Sequence, residues 1–187
     1  MNKKKIVVRS YRVVMNYKNT CEELIEGGNL DMGYGGEEGL INSKNFPPIV
    51  GKDNVRFLQE KDIYVINFSK AMETDEVITE LKKLEYQPAD IFELLTLNRT
   101  YPASIGIKKC FSLNGTHIIA LGSLLEFPEN KNLYLAPILS CEEGEDNMKR
   151  RTIHLNLTEY FDEFEKKVKK FNDWWPEKSC FAATNDY

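Results

Sequence analysis

The chain has 187 residues, 42% of them apolar, 11% aromatic and 29% charged, the profile of a globular protein rather than a disordered, collagen-like or low-complexity one. A length of this order fits a single domain, residues 1–187, that can bury roughly 70% of the surface its extended form exposes. The net charge of -4 argues against a dedicated nucleic-acid binder, which needs a clustered excess of Lys and Arg.

Taken in chain order, Ile6 to Val14 is rich in β-branched residues and is predicted as a first strand, carrying Arg9 and Arg12. No apolar run suited to a signal peptide follows Met1–Lys5, because Arg9 and Arg12 interrupt it, and the chain is expected in the cytoplasm. Thr20 and Glu23 have capping-box spacing and open a short helix with Cys21, Leu24 and Ile25 on one face, closed by Gly27-Gly28. Residues 27–50 then form a long Gly/Pro-rich loop holding Gly33, Tyr34, Gly35 and Gly36 and ending near Phe46-Pro47-Pro48.

Val55–Leu58 and Ile63–Phe68 are predicted strands, joined as a hairpin around Glu60-Lys61-Asp62. Two central helices follow. The first spans about Asp75–Leu84, with Val77, Ile78, Leu81 and Leu84 inward; the second starts at Pro88, with Ile91, Leu94 and Leu95 on one face. Cys110–Leu113, His117–Leu121, Leu133–Leu139, Arg151–Leu157 and Cys180–Ala183 are further predicted strands, with an acidic turn at Glu142–Asp146. Residues 158–175 are predicted as an amphipathic helix: Phe161, Phe164, Val168, Phe171 and Trp175 follow a 3-4-3-4 spacing, opposite Asp162–Lys166, Glu163–Lys167 and Glu165–Lys169. The expected class is α+β, a mainly antiparallel sheet with two central helices and this C-terminal helix.

Several stretches resemble a family of small uncharacterised bacterial and phage proteins. The resemblance is carried by Cys21–Asp31 (CEELIEGGNLD), Phe46-Pro47, Tyr86–Leu95 (YQPADIFELL), Ala120–Ser123 (ALGS), Leu155–Leu157 (LNL) and Phe181–Ala183 (FAA). It runs over most of the chain from residue 19 onward and supplies no functional residues. It implies a phage or mobile-element accessory, for which a host-directed inhibitor is a natural role. The family's closing segments echo C-type-lectin-like folds; this chain lacks an Arg before Phe181 and inserts the charged helix ahead of it.

The chemistry the sequence lacks is plainer than the chemistry it holds. The four cysteines lie no closer than 31 residues, and the two histidines, His117 and His154, fall in separate predicted strands, so neither a metal nor a cofactor is expected. No G-x-S-x-G elbow is present, and Glu37-Glu38 would repel a phosphate from the Gly33–Gly36 loop, so no catalytic residue is assigned. Residues 1–18 carry a local charge of +6, leaving -10 for the other 169. This suits either a solvated basic edge strand or a docking edge for an acidic partner. The longest uncharged run, Cys110–Leu125, is too short to span a membrane as a helix.

The resulting expectation is a non-enzymatic intracellular protein that binds another protein, with the oligomeric state open and with Tyr34, Phe164, Trp174 and Trp175 as candidate contact residues. Of the two tryptophans, Trp175 is expected to turn inward and Trp174 to be the more exposed. The alternative is a small hydrolase or a small-molecule or nucleotide binder using residues 27–45 and the acidic side chains.

Overall fold

The computed structural model describes residues 6–32, 39–48, 58–101, 116–127, 130–143, 149–162, 167–169 and 175–185. In chain order the elements are β1 (Val7–Asn16), α1 (Cys21–Gly27), β2 (Asp31–Met32), β3 (Leu58–Asn67), α2 (Thr74–Lys83), β4 (Gln87–Pro88) and α3 (Ile91–Thr100). They continue with β5 (Thr116–Ile119), β6 (Leu125–Phe127), β7 (Asn130–Glu143), β8 (Lys149–Asp162), β9 (Lys167–Lys169) and β10 (Cys180–Thr184). The strands form one sheet in the order β1-β3-β10-β5-β7-β8-β2, with β4 beside β10, β6 beside β7 and β9 beside β8. Every pairing is antiparallel except β10 with β5 and β2 with β8. The class is therefore α+β with a mostly antiparallel sheet.

Alternation along the strands sends side chains to two cores, one on each face of the sheet. On one face Val13, Met15, Ile63, Val65, Ile118, Leu139, Ile153 and Ala182 pack with Cys21 and Leu24 of α1 and with α3. On the other, Ile66, Ile119, Ala136, Ile138, Phe181 and Ala183 pack with Val77 and Leu81 of α2 and with Trp175. Helix α3 is buried at every position from Ile91 to Asn98, and its three polar members there, Glu93, Thr96 and Asn98, are buried with the apolar ones.

Local signals account for the helix ends. The Thr20–Glu23 capping box forms as its spacing predicts, and Gly28 closes α1. A Cβ at Gly28 would lie 2.7 Å from Asn98 Nδ2, so the glycine lets α3 approach. Helix α3 starts three residues later than expected. Pro88 belongs to β4 against Ala183, and Asp90 caps the helix through a second capping box with Glu93. The Ala120–Ser123 segment has a structural role at the same place: Gly122 N–H donates to the Ala89 carbonyl at 2.9 Å, and Ser123 Oγ accepts from Ile91 N–H at 3.0 Å. A Cβ at Gly122 would fall 2.6 Å from the Pro88 carbonyl oxygen and 2.7 Å from that of Ala89. Both obstacles are backbone and yield little, so Gly122→Ala is expected to lose about 1–3 kcal/mol in urea unfolding. A wild-type unfolding midpoint would show that the turn relaxes freely.

Three other expectations are corrected. Residues 58–67 form one continuous strand along β1, with Val14 opposite Glu60 and Arg12 opposite Asp62, so no hairpin turns at Glu60–Asp62; Val55 lies outside the described residues. The 27–50 segment is not irregular throughout, since Gly27 ends α1 and Asp31–Met32 pairs in parallel with Thr152–Ile153. Of the expected Glu142–Asp146 turn, Glu142 and Glu143 belong to β7, and residues 144–146 lie outside the described residues.

The 158–175 helix is the largest correction. Thr158–Asp162 continues β8, and Lys167–Lys169 returns beside it with Phe161 opposite Val168 and Asp162 opposite Lys167. Aromatic and β-branched residues favour strands. The helical reading rested on the 3-4-3-4 apolar spacing and the i,i+4 pairs; residues 163–166 and 170–174 of that stretch lie outside the described residues. Among the described residues, no helix is long and apolar enough to cross a membrane.

Candidate functional site

The face of the sheet that carries α2 is covered unevenly. Near its middle, Ile66, Phe181 and Ile138 lie under α2 and Trp175. Toward β1 the cover ends. Val8 is 43% exposed, Val14 54% and Leu58 61%, with Ile6 at 40% just before the strand. The β1–β3 register opposes Val8 to Ile66, Val14 to Glu60 and Asn16 to Leu58, which places Val8, Val14 and Leu58 on this face. Of the six exposed large apolar side chains among the described residues, these four share one region. Exposed apolar residues scattered singly are ordinary, whereas a group of them marks a contact surface.

Between the apolar ends lies an ion pair. Arg12 directs Nε and one terminal nitrogen to the two carboxylate oxygens of Asp62, both at 3.1 Å, and the other terminal nitrogen approaches Glu60 at 4.0 Å. The guanidinium holds the Asp62 carboxyl below the usual carboxylate range. Being exposed, the pair contributes little to stability, but it offsets on β3 the positive charge that β1 carries. The expected edge position is confirmed, since β1 ends the sheet on its side among the described residues. Its middle is partly occupied: the Tyr101 hydroxyl donates to the Arg12 carbonyl at 2.9 Å, and the Tyr101 ring meets Tyr11 edge to face. That contact interrupts the row of backbone groups the strand could offer another strand.

A second constellation lies on the same face, further along the sheet. His117 on β5 is the register partner of Ser140 on β7, and its Nδ1 is 2.7 Å from Ser140 Oγ. His154 on β8 is the register partner of Ile138, and its ring centre is 6.3 Å from that of His117, with the planes at 88°. Ser140 and His117 have the spacing of a nucleophile and its base, but Ser140 is only 1% exposed, and a substrate carbonyl has no access to a hydroxyl buried so deeply. The thiol of Cys21 is no better suited. Burial, aided by the charges of Glu22 and Asp90, pushes it up to about 12, where no reactive thiolate forms.

A third group is buried. Lys61 Nζ on β3 lies 2.5 Å from Glu93 Oε1 at the start of α3, while Glu93 Oε2 accepts from Asp90 N–H at 2.8 Å. Desolvation, with the nearby Asp90 charge, raises the Glu93 pKa despite Lys61. On the surface, Glu22 has the opposite shift: hydrogen bonds from Ser43 lower its carboxyl to about 2 and tie residues 39–48 to α1. Both carboxylates hold elements together, and neither belongs to a cluster of three or more potential metal ligands among the described residues.

Of the expected contact residues, Tyr34, Phe164 and Trp174 lie outside the described residues. Trp175 turns inward as expected and is 5% exposed. Its Nε1 donates to Thr74 Oγ1 at 3.0 Å, so its ring belongs to the α2-side core rather than to an exposed surface. The exposed valines of β1 were missed as contact residues. Alternation alone shows that they face away from Val13 and Met15, but it cannot show where cover from α2 stops. Comparison with protein-family models, with curated proteins and with solved structures finds no match.

Proposed function

We propose that the chain is a non-enzymatic binding protein of the cytoplasm that meets a protein partner through the β1–β3 surface. The observation that supports this most is the grouping of Ile6, Val8, Val14 and Leu58 around the Arg12–Asp62 pair. Apolar ends give affinity, and a charged centre fixes register, the division of labour expected at a protein interface. Because Tyr101 occupies the Arg12 carbonyl, the partner packs on the face of the sheet instead of adding a strand to its edge. Tyr34, Phe164 and Trp174, which lie outside the described residues, remain candidate contact residues. A C-type-lectin-like arrangement belongs with this proposal, supported by the last strand, β10, seated between β3 and β5.

The test is a double variant, Val8→Asp with Val14→Asp, compared with the wild-type chain as bait in cytoplasmic extract of the native host. Both side chains are more than two-fifths exposed, so thermal stability should change little. Proteins recovered by the wild type and identified by mass spectrometry should be lost with the variant. Equal recovery by both chains would remove the β1–β3 surface from consideration.

A further inference from the structure

The β1–β3 face carries the complement of its own charge pattern. We propose that it meets a second copy of this chain, packed face to face as a two-fold dimer with the strands of the two copies aligned. The proposal rests on the reading of that face as a contact surface and names what meets it.

On this face β1 presents Val8, Ser10, Arg12, Val14 and Asn16, opposite Ile66, Tyr64, Asp62, Glu60 and Leu58 of β3. The only charge β1 brings is that of Arg12, whereas β3 brings the two acids Glu60 and Asp62. In a two-fold contact every residue that meets another is met by it in return, so a face fits itself when its two halves are complementary. An axis parallel to the strands sets β1 of each copy over β3 of the other. Arg12 then faces Asp62 of the second copy, and Asp62 faces that copy's Arg12. A guanidinium has N–H donors, and a carboxylate lone pairs, beyond the two of each that the pair within one chain uses. Arg12 is exposed, so it reaches a second carboxylate while keeping its own. The apolar ends follow the same symmetry: Val14 lies diagonal to Leu58 of the second copy, and Ile6 and Val8 lie near their own equivalents. Packing in this way removes all four exposed apolar side chains from water.

The position of α2 selects this axis. Helix α2 and Trp175 cover the same face over Ile66 and Phe181 and stop short of β1. A second sheet stacks about 10 Å away, the level at which a helix some 10–12 Å across sits. Among the described residues β1 ends the sheet. With the axis along the strands, the second sheet therefore stops at its own β1 beside α2, and each helix flanks the other copy's edge. With the axis across the strands, acidic β3 lies over acidic β3, and α2 runs into β10 of the other copy. Two strands of ten residues make a narrow strip, at the small end of specific interfaces, so the dimer is reversible and forms as concentration rises.

The experiment is sedimentation velocity of the full chain from about 1 to 500 µM, the range in which a small interface exchanges. The wild type should pass from 21.7 kDa toward twice that mass. Arg12→Asp and Asp62→Arg should each stay monomeric, because either change sets like charges against one another twice across the axis. Mixed in equal amounts the two variants should dimerise again, since every contact across the axis then joins opposite charges, and native mass spectrometry should find the mixed pair. Neither side chain is buried, so both variants should fold. Should one misfold, Val8→Asp with Val14→Asp decides: it leaves Arg12 and Asp62 in place and should also stay monomeric. A wild type that remains at 21.7 kDa throughout overturns the second copy. The extract experiment then decides separately whether the face meets a different protein, so the two failures are told apart. A dimer that survives either charge change, or variants that do not combine, places the contact elsewhere and overturns the two-fold face.

Discussion

Trp175→Ala should destabilise the protein by about 3–5 kcal/mol, the usual loss for deleting a buried aromatic ring. The ring is 5% exposed and lies edge-on to Phe181, with ring centres 6.1 Å apart. Its backbone also joins the α2 segment to the C-terminal part of the chain: Trp175 N–H donates to the Met72 carbonyl at 2.8 Å, and Met72 N–H returns a bond to Trp175 at 3.1 Å. Trp175→Phe keeps most of the ring and loses only the bond to Thr74, so it should cost less than half as much. The measurement is equilibrium unfolding in urea for the three chains. If Trp175→Ala unfolds within 1 kcal/mol of wild type, the ring contributes little to the core. Equal losses from both variants would instead put the indole hydrogen bond, not ring volume, in control.

The same residue shows how much of this fold can be read from the sequence. Its inward orientation was expected because it ends the apolar spacing that begins at Phe161. The route was not. A helical stripe predicted the orientation, whereas the structure reaches it through a backbone bridge to Met72, a partner more than a hundred residues away. Local signals with a stated mechanism fared well, such as the Thr20–Glu23 box and the inward Val77 and Leu81 of α2. Asp90–Glu93 has the same spacing, but Pro88 offered a competing start, and only pairing with β10 removes Pro88 from the helix. Non-local pairing likewise decides residues 58–67, where β1 supplies a ladder that propensity cannot see, whereas 158–162 extend a strand that pairs with β7 as far as Glu159 and with β9 beyond it. The candidate surface and the histidine pair were illegible for a related reason. Both depend on which strands become neighbours, and no short window of sequence holds that information.

Lys61 and Glu93 are the pair for which neighbours matter most. Lys61→Met should cost about 3 kcal/mol or more, because it strands a carboxylate that cannot move away. Glu93 is 5% exposed and its second oxygen is held by Asp90 N–H, so the group has no path to water without releasing the start of α3. Glu93→Gln should cost less. The amide keeps the capping bond, and the long lysine stem can carry its ammonium toward solvent. The double variant, Lys61→Met with Glu93→Gln, should recover much of the loss, since it removes both charges and keeps both shapes. The sum of the two single losses should therefore exceed the loss of the double variant by at least 1 kcal/mol. Titration supplies a second reading. Burial and Asp90 raise the Glu93 pKa in the folded chain, so the unfolded chain gives up this proton first as the pH rises. The Glu93 contribution is thus full below its unfolded pKa and is lost as the pH climbs through the raised folded value. The deficit of Glu93→Gln relative to wild type should accordingly be larger at about pH 4 than at pH 7. Strictly additive losses in the double variant, with a deficit that ignores pH, would mean that Lys61 and Glu93 are solvated separately. The start of α3 would then depend on its capping box and on Ser123 alone.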